Sequence, residues 1–327
     1  MNLNNKTLFI TGIGNFIALR AAQVAIANGM KVRGLEASPL KAQKAQELGV
    51  SVFIGSTNDE EVLEKACEGA DIVFHTASMN EAGGCIDAFR TVNVDGTVKT
   101  ATVAKKVGAK TFVHLSSVLV YGFRFPDNVT EEGSLCGENN PFCQTKIESE
   151  QEILKFNNPR DFGVILIRAG DIYGPGADVW ILRPLKMMQK KKFVLINGGR
   201  GICNHVFVDN LIDGVFLAIE KETYGEAFNI TDGCKTTWKE YYTQLAKISD
   251  CPPPMFSVPA VLAKARLRQQ GKNADVLPET IDFITRTHSY SIEKARCVLG
   301  YEPRINLSEG MAQVREWLIK NNLLTIV

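Results

Sequence analysis

A glycine-rich turn near the amino terminus is the first place where residue type and spacing could do chemistry. It stands between an apolar run and a helical stretch and reads TGIGNFIA over residues 11–18. Glycines in such a turn let the backbone approach a pyrophosphate, and the amides of the following helix point at its charge. The position of the turn between a first strand and a first helix makes the signal specific. The sequence therefore predicts that a dinucleotide binds at Gly12, Gly14, Asn15, Phe16 and Ile17.

A carboxylate follows at the end of the next apolar run. Glu36 stands where a side chain accepts hydrogen bonds from the ribose hydroxyls of adenosine in dinucleotide sites. The same negative charge repels a 2′-phosphate, so the sequence favours NAD over NADP. Ser38 and Lys41 lie close by in the sequence and keep NADP open as the alternative cofactor.

The elements that position these residues alternate between strand and helix. Over about the first 120 residues, short apolar runs are separated by helical stretches, several of which end at Gly or Asn. This is the pattern of βαβ units in a parallel sheet. The predicted strands are 7–11, 31–35, 50–54, 72–75, 111–116 and 163–168, and the predicted helices are 18–28, 39–48, 60–67, 95–107 and 146–156.

The fold class that follows is α/β, a Rossmann-like doubly wound parallel sheet with a smaller C-terminal substrate lobe. Residues 1–175 are predicted to form the NAD-binding domain, with 203–231 packing back onto it. Residues 176–327 are predicted to form mainly the substrate-binding lobe, because the strand–helix alternation becomes less regular there.

The glycine turn resembles the TGxxGxxG motif of the extended short-chain dehydrogenases/reductases. The branch it resembles holds 3β-hydroxysteroid dehydrogenases and nucleotide-sugar epimerases and dehydratases. Matches in the same order continue along nearly the whole chain, which makes the resemblance far more specific than any one motif. They are DIVFHTAS at 71–78, NVDGT at 93–97, SSVLVYG at 116–122, YGPG at 173–176, VFVDNL at 206–211 and SIEKARCVLGY at 291–301.

The resemblance also implies which residues face the cofactor. Backbone amides of the turn would bind the pyrophosphate, and the residues after the third, fourth and sixth strands would lie along the adenine and the nicotinamide. The positions so implied, beyond those of the turn and Glu36, are Ser56, Thr57, Thr76, Ala77, Asn93, Lys146, Ala169 and Ile172.

Three side chains carry the chemistry of this family. A Ser or Thr orients the carbonyl or hydroxyl, a Tyr transfers the proton, and a Lys four residues later lowers the pKa of the Tyr and holds the ribose. Ser117 matches the first role and Lys146 the last, but Phe142 occupies the tyrosine position. A Phe has no hydroxyl, so general acid–base assistance of ~10²–10⁴-fold should be lost at this point.

Two explanations of Phe142 stay open: natural divergence, and an engineered Tyr→Phe change. Other departures from the motif favour divergence, since Asn15 and Ala18 replace glycines and Ser56 replaces an acid beside the adenine. Asn tolerates positive φ best among non-glycine residues, so Asn15 is expected to replace the glycine at a positive φ without loss of the turn. Together these changes indicate a weakened or re-tuned cofactor site.

Other groups near the missing hydroxyl are weaker candidates for its role. Cys143 should point away round the helix, and Tyr121 belongs to a turn that the family uses in packing. His205 and Asp171 could line the pocket, whereas His75 and His114 are interpreted as core residues.

The substrate side of the sequence favours a molecule that is less charged than a nucleotide sugar. Nucleotide-sugar members carry an Arg ahead of the VFVDNL match that clamps a pyrophosphate, and here that position holds Cys203. Apolar residues at 180–182 and 187–188 could line a pocket or belong to the core of the lobe.

The leading hypothesis is an NAD(P)-dependent oxidoreductase acting on a secondary alcohol or ketone of a small, largely apolar metabolite. The alternatives are a non-redox epimerase, dehydratase or lyase that contains NAD, and a catalytically impaired NAD-binding protein.

Composition restricts the partners. Lys and Arg number 37 against 36 for Asp and Glu, so the balance predicts neither a nucleic acid nor a membrane partner. Residues 259–268 predict a short amphipathic basic helix, for which a solvated face is favoured over membrane contact. Eight cysteines without CxxC spacing favour reduced thiols and predict no metal site. The start of the chain lacks a secretory signal, so a cytoplasmic protein is expected.

Family members commonly pair through two long helices. The resemblance therefore implies a homodimer through 95–107 and 146–156.

Overall fold

The computed structural model describes residues 3–80, 85–138, 140–270 and 278–324. Thirteen strands run through these residues. They are β1 (Thr7–Thr11), β2 (Lys31–Glu36), β3 (Ser51–Ile54), β4 (Ile72–His75), β5 (Thr111–Ser117), β6 (Gly163–Ala169), β7 (Asp171–Tyr173), β8 (Leu195–Ile196), β9 (Ile202–Cys203), β10 (His205–Phe207), β11 (Ala227–Ile230), β12 (Thr236–Thr237) and β13 (Ser257–Val258).

Twelve α-helices lie in the same described residues. They are α1 (Phe16–Ala27), α2 (Pro39–Glu47), α3 (Glu60–Cys67), α4 (Ile86–Arg90), α5 (Gly96–Lys106), α6 (Pro141–Leu154), α7 (Arg183–Gln189), α8 (Val208–Glu220), α9 (Trp238–Ile248), α10 (Ala260–Gln270), α11 (Glu279–Thr285) and α12 (Leu307–Lys320).

Seven strands form one parallel sheet in the order β11-β6-β5-β4-β1-β2-β3. Every residue of β4 and β6 is buried, as expected for parallel strands that are covered by helices on both faces. The strand order reverses between β1 and β4, and ligands of doubly wound sheets bind outside the carboxyl ends of the strands at such a point. The predicted α/β fold is therefore what the structure has.

The sheet packs between two layers of apolar side chains. One core cluster includes Ile10, Phe74 and Ile167 and continues into the C-terminal part of the chain through α8, α9 and α12. The other covers the opposite face with Phe9, Val73 and residues of α3, α5 and α6. Successive side chains of each strand thus enter opposite cores. This packing on both faces fixes the ends of β1, β4, β5 and β6 relative to one another.

Some predicted boundaries were wrong. The helix predicted from 146 begins at Pro141, because Asn140 caps it and Pro fits the first helical turn. The helix predicted over 95–107 is preceded by α4 and by a π-helical turn over Thr91–Asp95. The strand β11 had not been predicted, although it lies within the segment expected to pack back onto the sheet.

Candidate active site

The glycine turn begins where β1 ends. Gly12 has a φ of 66°, and a Cβ at this residue would lie 3.1 Å from the Cα of Ala77. Its amide donates to the carbonyl of Leu35 at 2.8 Å, which ties the turn to β2. A side chain at Gly14 would be 2.6 Å from the Cβ of Lys41. The turn therefore needs both glycines, one for its conformation and one for a close approach.

Asn15 is the N-cap of α1 rather than a residue of positive φ. Its backbone is extended, with φ −81° and ψ 157°, so the expectation of positive φ was wrong. The side-chain oxygen accepts from the amide of Ala18 at 2.8 Å, and Nδ2 donates to the carbonyl of Gly12 at 2.8 Å and to Thr76 Oγ1 at 2.9 Å. An N-cap requires extended backbone, so the helix start decides the conformation here.

Glu36 closes the same turn from β2. One carboxylate oxygen accepts from the amide of Gly14 at 2.9 Å and the other from the amide of Ser38 at 3.0 Å. The residue is 8% exposed, so a carboxylate stands at the end of β2 directly beside the turn. This is a position from which it can accept hydrogen bonds from ribose hydroxyls.

The opposite wall of the turn comes from β4. Thr76 Oγ1 donates to the carbonyl of Thr11 at 2.7 Å, and the amide of Ala77 donates to Thr11 Oγ1 at 3.2 Å. After β3, Ser56 Oγ accepts from the amide of Asn58 at 3.1 Å, and Thr57 is buried. These residues line one edge of the sheet next to the glycine turn.

Asn93 connects this edge to α6. It is buried in the π-helical turn, where Oδ1 accepts from the amide of Met79 at 2.7 Å. Its Nδ2 donates to the carbonyl of Met79 at 3.1 Å and to Thr145 Oγ1 at 3.0 Å. Thr145 precedes Lys146 in α6, so Asn93 joins the segment after β4 to the helix of the predicted catalytic lysine.

Lys146 projects under the ends of the central strands. Its side chain is buried, and Nζ donates to the carbonyl of Leu115 in β5 at 2.8 Å. Burial lowers the pKa of this lysine to about 8, against the opposing effect of the nearby Glu150 carboxylate. The amino group also lies 5.9 Å from the centroid of the Phe142 ring. The structure thus brings together two of the three predicted catalytic positions.

Ser117 ends β5 beside the end of β6. It pairs in register with Ala169, and its Oγ accepts from the amide of Leu119 at 3.2 Å. Ile172 follows in β7 and packs partly buried against the main core. Ala169, one of the two cofactor-facing residues predicted here, therefore adjoins the predicted catalytic serine.

Phe142 lies in the first turn of α6. Its amide donates to Asn140 Oδ1 at 3.0 Å, and its ring is half-buried. Phe142 and Lys146 are one helical turn apart, as the YxxxK spacing requires. Position 142 therefore has the aromatic ring of the tyrosine that the YxxxK motif carries, but not its hydroxyl group.

The neighbouring Tyr121 hydroxyl is hydrogen-bonded to other residues, and the neighbouring Cys143 thiol is buried. The Tyr121 hydroxyl donates to Asn229 Oδ1 at 2.8 Å and accepts from Arg168 Nη1 at 2.7 Å. Burial raises its pKa to about 12, and burial likewise raises the pKa of the Cys143 thiol to about 12. Both groups keep their protons too tightly to assist a reaction near neutral pH.

The histidines are likewise fixed by partners. His205 contacts Asp232 and Thr236, each at 2.8 Å. His75 bonds Thr11 Oγ1 at 2.9 Å, and burial lowers its pKa to about 3. His75 stacks on His114 with ring centroids 5.7 Å apart, which places this pair in the interior of the sheet.

Apolar residues of the C-terminal part were given two interpretations, and the structure divides them. Ile181 and Met188 are buried in the main core, whereas Met187 is exposed. Trp180 stacks on Phe283 with centroids 5.6 Å apart, and Phe283 meets Phe123 edge-on at 6.3 Å.

The sequence interpretation missed a buried ion pair behind this aromatic group. Arg286 Nη2 lies 2.7 Å from Asp171 Oδ2, and the guanidinium is over the Phe283 ring at 4.0 Å. Arg286 also borders a cavity of about 430 Å³ with Phe123, Arg124 and His288. Asp171 is therefore a structural partner of Arg286. No local spacing marks the pair, because its members are 115 residues apart.

Comparison with known proteins agrees with this geometry. The model of the NAD dependent epimerase/dehydratase family matches residues 8–231. The chain belongs to this family. The resemblance to extended short-chain dehydrogenases/reductases is thereby confirmed, and so is NAD as the cofactor.

Several curated relatives match over nearly the full length. A 4-hydroxy-2-methyl-3-oxo-4-farnesyl-3,4-dihydroquinoline-1-oxide ketoreductase of Stigmatella aurantiaca is 26% identical over 94% of this chain and 95% of its own. A decarboxylating sterol-4-alpha-carboxylate 3-dehydrogenase of Dictyostelium discoideum is 24% identical over 94% and 100%. A 2-alkyl-3-oxoalkanoate reductase of Stenotrophomonas maltophilia is 24% identical over 94% and 98%.

Solved structures share the fold. An epimerase of Methanothermobacter thermautotrophicus superposes with a TM-score of 0.82 at 20% identity, covering 98% of this chain and 94% of that one. A UDP-glucuronic acid 4-epimerase of Bacillus cereus in complex with NAD gives 0.79 at 20%, covering 96% and 99%. At this identity the likeness confirms the Rossmann-like α/β architecture alone.

Family membership makes the chain an NAD-dependent enzyme, and the residues fit that cofactor. Gly12 and Gly14 leave room for a pyrophosphate to approach the backbone of the turn. Glu36 ends β2 and Lys146 bonds to β5, so these two charged groups lie on either side of β1 and β4 in the sheet. Within the described residues, no helix is long and apolar enough to cross a membrane, and no group of three His, Cys, Asp or Glu side chains could hold a metal ion.

The buried lysine predicts a pH-dependent stability. The pKa of Lys146 falls from 10.5 in the unfolded chain to about 8, so the unfolded state binds more protons between these values. Lys146 should therefore contribute a gain in the free energy of unfolding as pH rises across this window, on the order of 3 kcal/mol at ~1.4 kcal/mol per pKa unit. Urea unfolding at about pH 7 and about pH 10 measures this contribution as the difference in pH dependence between the native chain and Lys146→Met, because the buried thiols, whose pKa values are raised, lower the free energy of unfolding equally in both.

The exposed Lys155 at the end of α6 offers a matched control. A Lys155→Met variant should show the same pH dependence as the native chain. An equal gain in the native chain and in Lys146→Met would contradict the assignment of this titration to Lys146.

Proposed function

We propose that this enzyme is an oxidoreductase that interconverts a ketone and a secondary alcohol on a small, largely apolar metabolite. The observation that carries the proposal is the placement of Lys146. Its amino group is buried beneath the strand edge, bonded to Leu115 in β5 two residues before Ser117. A lysine there can hold a nicotinamide ribose while a serine hydroxyl orients the substrate oxygen.

The chain's own groups have separable roles in this reaction. Ser117 would donate its hydroxyl proton in a hydrogen bond to the substrate oxygen, and Lys146 would donate to the ribose. The Phe142 ring would cover this corner of the site without transferring a proton. NAD would accept the hydride in alcohol oxidation, and NADH would supply it in ketone reduction. The hydroxyl proton would then have to be exchanged with water, which makes the redox step slow.

The substrate class rests on two further observations. The relatives named above act, by their names, as a ketoreductase, a 3-dehydrogenase and an oxoalkanoate reductase. Cys203, where nucleotide-sugar members have a phosphate-binding Arg, is 1% exposed and belongs to the core. A buried thiol makes no bidentate phosphate contact, which favours a substrate without a pyrophosphate.

We infer that the cofactor and substrate occupy different parts of the chain. Residues 1–175, with 203–231, would hold NAD, because they contribute the seven sheet strands and their carboxyl-end loops. The remainder of 176–327 would hold the substrate. The eight cysteines are all free, which supports a reducing compartment such as the cytoplasm.

Cofactor preference follows from Glu36. We expect NAD(H) to bind more tightly than NADP(H), because the carboxylate repels a 2′-phosphate. Glu36→Ala should narrow the difference, and titration of both cofactors by calorimetry measures it. Glu36→Gln separates charge from loop structure, since its side-chain oxygen still accepts from Gly14 or Ser38. Tighter binding of NADP(H) by the native chain would refute the role given to Glu36.

Restoring the missing hydroxyl tests the proposed reaction directly. Phe142→Tyr adds a phenol one turn from Lys146, and carbonyl reduction should rise by ~10²-fold or more. The measurement is the initial rate of NADH oxidation on a panel of ketones. Phe156→Tyr, a half-buried ring beyond the end of the same helix, should leave the rate unchanged.

A double variant makes this test sharper. The gain should largely disappear in Phe142→Tyr/Lys146→Met, because the phenol depends on the lysine for its lowered pKa. If Phe142→Tyr leaves turnover of the true substrate unchanged or lowers it, the proton donor lies elsewhere or the reaction is non-redox. The epimerase or dehydratase alternative would then replace the oxidoreductase.

We further propose that the enzyme is a homodimer through α5 and α6. A groove of about 500 Å³ runs between these helices, lined by Val94, Asp95, Val98, Lys99, Glu148 and Glu152. A Val98→Asp variant should sediment as a single chain of 36.0 kDa, whereas the native protein should have twice this mass. Val298→Asp, at an exposed apolar residue elsewhere, should remain dimeric. A native protein that sediments as a monomer at micromolar concentration ends this proposal.

A further inference from the structure

A patch of exposed apolar side chains lies on the C-terminal part of the chain. Met255 is 78% exposed, Phe256 71%, Val261 77% and Leu262 61%. Among large apolar side chains in the described residues, only Leu40 is comparably exposed, at 77%, and the rest are at 44% or less. Four such residues within eight positions are unusual, because single exposed apolar residues are normally scattered. We call these four residues the apolar patch.

Helix α10 presents half of this patch without burying any residue of its own. It is tied to the protein on one side, where Lys264 Nζ bonds Asp282 at 2.5 Å and the amide of Ala260 donates to Asn197 at 2.8 Å. The contacts hold the helix on the surface and leave Val261 and Leu262 facing outward. The exposed surface of this helix therefore carries Val261 and Leu262 together with Arg266 and Arg268.

A basic segment lies next to the patch. Strands β8 and β13 pair in register through Leu195 and Ser257, and the amide of Leu195 donates to the carbonyl of Phe256 at 2.9 Å. This pairing brings the exposed run 190–192, which is three lysines, close to Met255 and Phe256.

The local charge is one-sided although the whole chain is nearly neutral. Segments 183–196 and 253–270 contain no Asp or Glu. They carry eight cations, of which Arg183 and Lys264 pair with acids from other segments. The remaining six are Lys186, Lys190, Lys191, Lys192, Arg266 and Arg268.

We propose that this surface binds the anionic face of a lipid bilayer. Apolar side chains that stand out from a surface enter the boundary between headgroups and acyl chains, and surrounding Lys and Arg are attracted to anionic headgroups. Charge complementarity favours this occupant over a second copy of the chain, since two copies would bring their cations together. The proposal does not depend on the enzymatic reaction. It would give an apolar substrate a short path from the bilayer, because α11, which anchors α10, borders the cavity of Arg286.

Vesicle sedimentation of the full chain tests the proposal. The protein should pellet with vesicles of phosphatidylcholine and phosphatidylglycerol in equal parts, and at least tenfold less with phosphatidylcholine alone or at high salt. Phe256→Ser/Leu262→Ser should weaken partition at least tenfold, and so should reversal of the three lysines at 190–192 to Glu. Leu40→Ser, an equally exposed apolar residue on α2, should bind like the native chain.

Sedimentation velocity without lipid separates the other occupants. The native chain and Phe256→Ser/Leu262→Ser should have the same mass. If the mass changes with this double variant, the patch is an interface between copies and the proposal is wrong. Absence of binding to the anionic vesicles, or equal loss in Leu40→Ser, also overturns it.

Discussion

A buried ammonium group sets the position of the candidate active site. The amino group of Lys146 has lost most of its water. It donates to the carbonyl of Leu115 and is attracted by the carboxylate of Glu150, one helical turn further along α6. Glu150 in turn pairs with Arg168 of β6 at 2.8 Å in the interior. Breaking such buried pairs is costly, because the remaining charge is left without a partner. Helix α6 is therefore fixed against β5 and β6, and the ring at Phe142 stands where these contacts put it.

Much of the fold could be predicted because parallel strands are apolar on both faces. Runs such as 72–75 and 163–168 therefore stood out from the helices between them, and the glycine turn was located by its place after the first run. Helix boundaries were less certain because caps act locally. Asn140 with Pro141 starts α6, and Asn15 starts α1, although motif comparison alone had aligned Asn15 with a glycine. Motif position identifies a residue, whereas its conformation depends on which hydrogen bonds compete for it.

The proposed substrate side was the least predictable part. The pairing of Asp171 with Arg286 joins a strand after the sheet to a segment far along the chain, and no short-range pattern encodes such a contact. The same holds for the contact between Trp180 and Phe283, because the sequence left Trp180 open between pocket and core and did not single out Phe283. Net charge does not describe how charge is distributed, because a chain with balanced charge can still concentrate its cations on one surface. Long-range packing thus decides the substrate side, while local pattern decides the cofactor side.

The combination of Lys146 with Phe142 bears on what the site does. A lysine whose pKa is lowered by burial reduces the stability of the folded chain at neutral pH, because protonation favours the unfolded state. An apolar side chain would fill the same space without this cost. A nearby aromatic ring offsets part of the cost, since the Phe142 centroid lies 5.9 Å from the amino group. Cofactor binding by the amino group would explain why a lysine is kept here at the remaining cost in stability. That role does not depend on whether residue 142 carries a hydroxyl.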